Sequence, residues 1–213
     1  MTGRCYGTGR DANCVVVLTF SFRSLRVARH AVQAEPSKEG TPHARTGPAR
    51  LIPPLRFPLA GGGEFDLAAE RPRHFTMVVF YRGWHCPVCR GYLAQLDRRI
   101  EELDDLGVSV VVVSGDPEDR AKRSIGDWGL NRLRVAYGQD LSFMRAWGLF
   151  VSKGIKDPEP ELFDEPGVFL IRPDGTIHMV ALNSMPAAHP RIEDMVQAIQ
   201  FFIERDYPPR GEA

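Results

Sequence analysis

FTMVVFYRGWHCPVC, residues 75–89, is the stretch that decides the fold. Its first part, residues 75–81, is a run of apolar, β-branched and aromatic residues, which predicts a strand that is buried on both faces. Its second part carries Cys86 and Cys89, and apolar residues recur beyond them with helical spacing until Gly107. We therefore expect the two cysteines to open a helix that directly follows a buried strand.

Strand and helix patterns alternate after this stretch. In chain order we expect a strand at 108–113, a helix from Asp116-Pro117 to about Trp128, a strand near 133–137, a short helix at 140–147, a polar loop at 152–165, strands at 167–171 and 176–182, and a helix from Pro190. This alternation indicates parallel strands, and the turn at 173–175 indicates an antiparallel hairpin. Short strands around Gly61-Gly62-Gly63 predict an N-terminal β-hairpin. The fold class is α/β, with a mixed central sheet flanked by helices.

The first 50 residues differ in composition from the rest. Residues 1–50 carry a net charge of +5 and residues 51–213 a net charge of −5, so the whole chain is neutral. We expect a disordered extension or a targeting segment at 1–50, ahead of one domain at 51–213. Because the charges cancel and no run of 18 apolar residues occurs, we expect no nucleic-acid or membrane partner. We expect a cytoplasmic location, unless the extension is a targeting segment.

Cys86 and Cys89 have the spacing of a redox-active dithiol. A thiol at a helix start meets unpaired amide hydrogens and the positive end of the helix dipole, which lower the pKa of Cys86. Cys89, one turn further on, projects over the same face and can resolve a mixed disulfide. Pro87 stiffens the entry to the helix, and Arg82 adds positive charge nearby. We expect Cys86 to be the nucleophile and to be reachable from solvent.

Other interpretations of the cysteine pair stay open. The pair could be inert and buried, could form half of a zinc site, or could act with His85 as a soft-metal or redox-sensing module. A zinc site needs a second pair of ligands, and His178 and His189 are not spaced to supply it, so we predict no metal. The sequence has no Walker loop, dinucleotide fingerprint or haem attachment sequence, and we expect no organic cofactor.

The segment Phe80–Cys89 resembles the motif of the peroxiredoxin-like branch of the alkyl hydroperoxide reductase/thiol-specific antioxidant (AhpC/TSA) family, within the thioredoxin-fold superfamily. The resemblance covers about residues 51–205. It implies a thioredoxin-like fold and an antioxidant thiol enzyme, either a thiol–disulfide oxidoreductase or a peroxidase in which Cys86 passes through sulfenic acid to a disulfide with Cys89. It also implies a cis peptide bond before Pro166, beside the cysteines, which would expose backbone to a substrate chain.

The chain departs from the typical peroxiredoxin pattern at three positions. Gly83 replaces the Thr or Ser that stands three residues before the reactive cysteine, Val79 replaces a Pro, and Pro166 replaces an Arg. The missing groups would orient peroxide and stabilise the leaving oxygen, so we expect peroxide to be a poor substrate unless Arg82 supplies a substitute charge. Exchange with a protein or small-molecule disulfide is the favoured function, and peroxide reduction is the alternative.

Supporting roles can be predicted for the neighbours of the cysteines. Thioredoxins carry a buried acid at the position of Phe80, so His85 is the candidate to move protons, unless it is a solvent-facing spacer. Trp84 is expected to form a platform beside the thiols or part of the apolar rim, and Asp116 to cap a helix. An external dithiol donor, such as a thioredoxin or glutathione system, would reset the pair, and oligomers are possible.

Overall fold

The computed structural model describes residues 50–211. Its strands are β1 (Arg56–Pro58), β2 (Glu64–Asp66), β3 (Phe75–Phe80), β4 (Val108–Val113), β5 (Arg134–Ala136), β6 (Val151–Lys153), β7 (Leu162–Asp164), β8 (Gly167–Ile171) and β9 (Ile177–Leu182). Its helices are α1 (Pro87–Asp97), α2 (Ile100–Asp105), α3 (Glu118–Trp128), α4 (Leu141–Ala146) and α5 (Ile192–Glu204). None of these helices is long and apolar enough to cross a bilayer. The predicted extension lies outside the described residues, apart from Arg50.

Five strands form the central sheet in the order β5-β4-β3-β8-β9. β4 is parallel to β3 and to β5, and helices connect these strands in the way that parallel pairing requires. β8 runs antiparallel to both β3 and β9. The predicted mixed sheet is confirmed, with the completely buried strand β3 at its centre.

Side chains of β3 alternate between the two faces of the sheet, as the geometry of a strand requires. Met77 and Val79 join a buried cluster with apolar residues of α1, α2, α3 and α5. Val78 and Phe80 join a second cluster on the other face, which includes Trp147 at the end of α4. Helices thus cover both faces, and the predicted thioredoxin-like arrangement is confirmed.

The helix predicted from the cysteines to Gly107 is divided into α1 and α2. At the end of α1, the buried Asp97 carboxylate accepts hydrogen bonds from the backbone N–H groups of Arg132 and Leu133, both at 2.9 Å. Ile100 and Leu103 of α2 nevertheless face the same core cluster as α1. The apolar periodicity therefore continues across the break, which explains why the sequence pattern did not reveal it.

Two hairpins flank the central sheet. The predicted N-terminal hairpin is confirmed as β1 and β2, which pair antiparallel. The segment expected to be a polar loop at 152–165 contains a second hairpin, in which β6 pairs with β7 from Val151 opposite Asp164 to Lys153 opposite Leu162. Its strands have three residues each and little apolar periodicity, so the pattern did not distinguish them from a loop. We call residues 151–164 the β6–β7 hairpin.

Candidate active site

Cys86 and Cys89 lie where the central strand passes into the first helix. Cys86 is the N-cap residue of α1, in an extended conformation, and its Sγ accepts the backbone N–H of Cys89 at 3.2 Å. Pro87 occupies the first turn, where its missing N–H leaves no hydrogen bond unmade. The predicted position of the dithiol at a helix start is therefore confirmed.

The two sulfurs interact directly and have different acidities. A hydrogen bond from the Cys89 thiol lowers the pKa of Cys86 to about 7, against the effect of burial, with help from the Cys89 and Val88 amides and the charge of Arg82. The same hydrogen bond, together with burial, raises the pKa of Cys89 far above its ordinary value. At neutral pH, a substantial fraction of Cys86 is thiolate, whereas Cys89 keeps its proton.

Solvent access to the cysteines differs from the prediction. Cys86 is 1% exposed and Cys89 is 0% exposed, so the expected solvent-reachable nucleophile is wrong for this conformation. Both belong to the core cluster that also contains Tyr92 and Leu93 of α1, because the residues that open the helix pack inward. Only a small molecule, or a larger one that first displaces neighbouring residues, can reach the sulfur.

Arg82 is held between two acidic side chains and an aromatic ring. Its Nη2 lies 3.6 Å from Oε1 of Glu159, and its Nε lies 3.6 Å from Oε2 of Glu165. The guanidinium carbon lies 4.5 Å from the centre of the Phe163 ring. Arg82 Nε and Glu165 Oε2 are both buried without a hydrogen-bond partner. The cation beside Cys86 is thus surrounded by negative charge but is only loosely bonded.

His85 is not the solvent-facing spacer that was one of the expectations. Its ring lies 4.8 Å from the Phe163 ring, and both ring nitrogens are buried without hydrogen-bond partners. Burial, together with the charges of Arg82 and Arg120, lowers the pKa of His85 to about 4. His85 is therefore neutral at physiological pH, because the β6–β7 hairpin covers its ring through Phe163.

Trp84 packs against the cluster that contains the cysteines, and its indole also binds α3. Its Nε1 donates to Asp127 at 2.8 Å, and the guanidinium of Arg123 lies 3.6 Å from the ring centre. Its backbone N–H donates to Oδ2 of Asp116 at 2.6 Å. Trp84 therefore attaches the turn before the cysteines to the helix after β4.

Asp116 has a different role from the predicted helix cap. The N-cap residue of α3 is Pro117, and no side chain caps that helix. The Asp116 carboxylate instead binds the Trp84 N–H and lies 3.5 Å from Arg120. It also stands beside Gly83, whose φ is +109° and where an added Cβ would lie 2.7 Å from the carboxylate oxygens. The turn before Cys86 is thus built around Asp116.

The predicted cis bond at Pro166 is wrong. Among residues 50–211, the cis peptide bond is the one between Asp157 and Pro158. The chain around Pro166 runs extended from β7 into β8, with the Glu165 N–H bound to the Phe150 carbonyl at 2.8 Å and the Pro166 carbonyl bound to Asn183 N–H at 2.9 Å. Pro166 directly precedes β8, which is a common position for proline at a strand.

Sequence reasoning missed three residues that lie next to Arg82, namely Glu159, Phe163 and Glu165. They come from the segment that was expected to be a loop and from its junction with β8. The nearby Asp164 is completely buried, and burial raises the pKa of its carboxyl group well above the ordinary range. An acidic and aromatic run, Leu162 to Glu165, directly before the predicted strand was the available signal.

A metal centre requires several ligands close together. Within the described part of the chain, no group of three or more His, Cys, Asp or Glu side chains is placed to hold a metal ion. His85, the third ligand of the metal-binding alternative, directs its ring at Phe163.

Comparison with known families identifies the family to which the chain belongs. The AhpC/TSA family matches residues 49–180, a segment that contains both cysteines, Arg82 and Pro166. The chain belongs to the AhpC/TSA family. The resemblance expected from the motif is thereby confirmed, and membership of this family of antioxidant enzymes makes the chain an oxidoreductase. No curated protein matches the chain.

Solved structures of AhpC/TSA-like proteins share the fold. They include a peroxiredoxin-like protein from Aquifex aeolicus, with 18% identity, a TM-score of 0.60 and coverage of 72% of this chain and 86% of that chain. The peroxidoxin BcpB from Mycobacterium tuberculosis has 15% identity and a TM-score of 0.61, with 74% and 98% covered. Reduced Prx3 from Vibrio vulnificus, in complex with hydrogen peroxide, has 14% identity and a TM-score of 0.61, with 72% and 98% covered.

Proposed function

We propose that the chain is a thiol peroxidase of the AhpC/TSA family that reduces small hydroperoxides with Cys86 and forms a Cys86–Cys89 disulfide. The observation that carries the proposal is the state of Cys86: its sulfur has a pKa of about 7, is 1% exposed and is held at the start of α1. A small oxidant fits such a buried thiolate, whereas a protein disulfide requires a nucleophile at the surface.

The proposed reaction has two steps. The Cys86 thiolate attacks one oxygen of the hydroperoxide, an S–O bond forms and the O–O bond breaks, and the alkoxide takes a proton and leaves as an alcohol or water. The Cys89 sulfur then attacks the sulfenic sulfur, an S–S bond forms, and the hydroxyl leaves with the Cys89 thiol proton as water. The hydrogen bond between the two sulfurs supports this assignment, because it places the resolving thiol beside the oxidised one.

An external dithiol would complete the cycle. Two thiols of a thioredoxin-type or glutathione-type donor reduce the Cys86–Cys89 disulfide and are themselves oxidised to a disulfide. The attack must reach one of two buried sulfurs, so this step requires the site to open. We propose no resident cofactor for any step.

Two findings favour peroxide over the protein disulfide that the sequence favoured. Docking of a protein disulfide was expected to use an exposed Cys86 and a cis bond at Pro166. Cys86 is buried and the bond before Pro166 is not cis, so neither feature supports a protein substrate. Arg82 lies close enough to affect the pKa of Cys86, so its charge can stabilise the leaving oxygen in place of the missing Thr and Arg. The Prx3 structure with the same fold binds hydrogen peroxide.

Mass spectrometry of singly oxidised protein tests the assignment of the cysteines. After one equivalent of hydrogen peroxide, the unmodified sequence should contain a Cys86–Cys89 disulfide. With Cys89→Ser, a sulfenic acid should persist at Cys86 and react with dimedone, whereas Cys86→Ser should show neither product. A sulfenic acid trapped at Cys89 would reverse the assignment and contradict the proposal.

Reduction of a protein disulfide is the second candidate. The two-residue spacing and the large difference in acidity between Cys86 and Cys89 favour it, because both also suit disulfide exchange. With Cys89→Ser, this function would give a stable mixed disulfide between Cys86 and a model protein substrate. The proposal predicts that such an adduct forms far more slowly than the sulfenic acid.

A further inference from the structure

The β6–β7 hairpin is fastened over the residues that precede Cys86. Its Pro158 carbonyl accepts a hydrogen bond from Arg120 at 2.7 Å, and its Phe163 ring contacts both His85 and Arg82. The end of the hairpin is closed by a bond of 2.9 Å from the Gly154 N–H to the Glu161 carbonyl. The hairpin therefore controls the approach to Arg82 and His85.

The two carboxylates that flank Arg82 are held differently. Glu165, next to β8, is fixed by a hydrogen bond of 2.6 Å from the Ser152 hydroxyl. Glu159 belongs to the hairpin, and its carboxylate accepts the Ile155 N–H at 2.9 Å, a bond within the same loop. Glu159 lies in the loop between β6 and β7, so it can leave Arg82 with that loop while Glu165 stays bonded to Ser152 of β6.

Arg82 is an incompletely bonded cation. Its side chain is 18% exposed, and both neighbouring carboxylates stand at 3.6 Å, beyond a charge-assisted hydrogen bond, which is about 2.8 Å long. Its buried Nε has no hydrogen-bond partner. Nη2 faces Glu159 at a similar distance without a hydrogen bond, so a ligand carboxylate that takes the place of Glu159 and bonds directly to Nη2 would gain affinity.

We propose that Arg82 is a subsite for the carboxylate of a small substrate, and that Glu159 occupies this subsite until such a substrate displaces it. The substrate class is a small hydroperoxide whose carboxylate lies within a few bonds of the O–O group. Displacement removes one contact between the hairpin and Arg82, while the Phe163 ring stays against the guanidinium. This inference deepens the proposed function and rests on Cys86 as the reactive thiol.

Two alkylating agents provide the test without any peroxide. Iodoacetate and iodoacetamide have similar sizes and both alkylate thiolates, but only iodoacetate carries a carboxylate. We define the selectivity ratio as the iodoacetate rate constant divided by the iodoacetamide rate constant at Cys86, measured on the reduced full chain by peptide mass spectrometry. Because both reagents need the same thiolate, a change in the pKa of Cys86 cancels in the ratio.

Glu159→Gln should raise the selectivity ratio about fivefold, the size expected when one like charge is removed from a few ångström away in water. Arg82→Met should lower the ratio below that of the unmodified sequence, because it deletes the subsite. Glu161→Gln is the matched control, since Glu161 lies on the same hairpin, is exposed, and loses the same charge. This control should change the ratio by less than about twofold, because an exposed charge is screened.

Each outcome decides the inference. A ratio that Glu159→Gln changes no more than Glu161→Gln does would overturn it, while leaving the peroxidase proposal intact. Failure of both reagents to modify Cys86 in every variant would overturn it together with the proposed function. If circular dichroism shows that Glu159→Gln does not fold, Glu159→Ala replaces it with the same expected increase.

Discussion

Gly83 explains why this member of the family lacks the hydroxyl group that typical peroxiredoxins carry at that position. Its φ of +109° strains any residue with a Cβ, and the Asp116 carboxylate occupies the space that such a Cβ would need. Gly83→Ala should therefore lower the free energy of unfolding by about 2–4 kcal/mol in urea denaturation. Gly91→Ala is the control: Gly91 lies in α1 with nothing near its Cβ position, and this change should stabilise the fold by about 0.5–1 kcal/mol. Equal stability of the Gly83 variant and the unmodified sequence would contradict this account of the turn.

The pH dependence of Cys86 follows from its environment. Its pKa of about 7 lies below the ordinary 9.0 of a thiol, so the folded state favours the thiolate. The rate of alkylation at Cys86 should rise with a midpoint near pH 7, and Arg82→Met should move this midpoint upward, since Arg82 contributes to the lowered pKa. The corresponding stabilisation is present above pH 9 and is lost as the pH falls through 7. An unchanged midpoint in the Arg82 variant would show that its charge does not act on the thiol.

The sequence predicted the two cysteines at a helix start but not the residues that surround them. Cys86 and Cys89 follow a continuous buried strand and precede a helical repeat, so local patterns were sufficient. The contacts of Asp116 with Trp84 and of Glu159 with Arg82 join segments that are distant along the chain. No local pattern records such contacts, and burial of Cys86 likewise depends on elements that assemble around it.

At the scale of elements, the break between α1 and α2 has a specific anchor. The buried Asp97 carboxylate receives two backbone hydrogen bonds from the segment before β5. Asp97→Ala should lower the free energy of unfolding by about 2–4 kcal/mol, because it leaves two backbone N–H groups without this charged acceptor. Asp104→Ala in α2 is the control, since Asp104 is exposed, and its effect should stay within about 0.5 kcal/mol. Equal effects of the two substitutions in urea denaturation would contradict the anchoring role.

Elements with strong periodicity were predictable, and short ones were not. The strand at 167–171 was predicted with the bounds that β8 has, because its apolar residues follow one another without interruption. β6 and β7 have three residues each and are held by pairing and by contacts with Arg82 and His85. These two strands form because of their tertiary contacts, and segments of three residues are too short for a local pattern to predict them.

In the whole molecule, Arg50 and Leu51 are the first described residues, and both contact the central sheet. The Arg50 carbonyl accepts the Ile177 N–H at 3.0 Å, and Leu51 forms a bridge with Thr176, so both residues belong to the edge of the central sheet. We predict that deletion of residues 1–49, which differ from the domain in composition, leaves the melting temperature and the reactivity of Cys86 unchanged. Deletion of residues 1–52 is the contrasting variant and should lower the melting temperature. A loss of several degrees on removal of 1–49 alone would show that the extension packs on the domain.

The proposed function requires that Cys86 react with peroxide with the assistance of Arg82. Stopped-flow fluorescence gives the second-order rate constant between the reduced protein and hydrogen peroxide most directly. We expect a constant at least about 10²-fold above that of a free thiol with the same pKa, absent in Cys86→Ser and clearly lowered in Arg82→Met. A rate constant equal to that of the free thiol, together with rapid cleavage of a model protein disulfide by the same preparation, would contradict the proposed peroxidase activity and favour disulfide exchange instead.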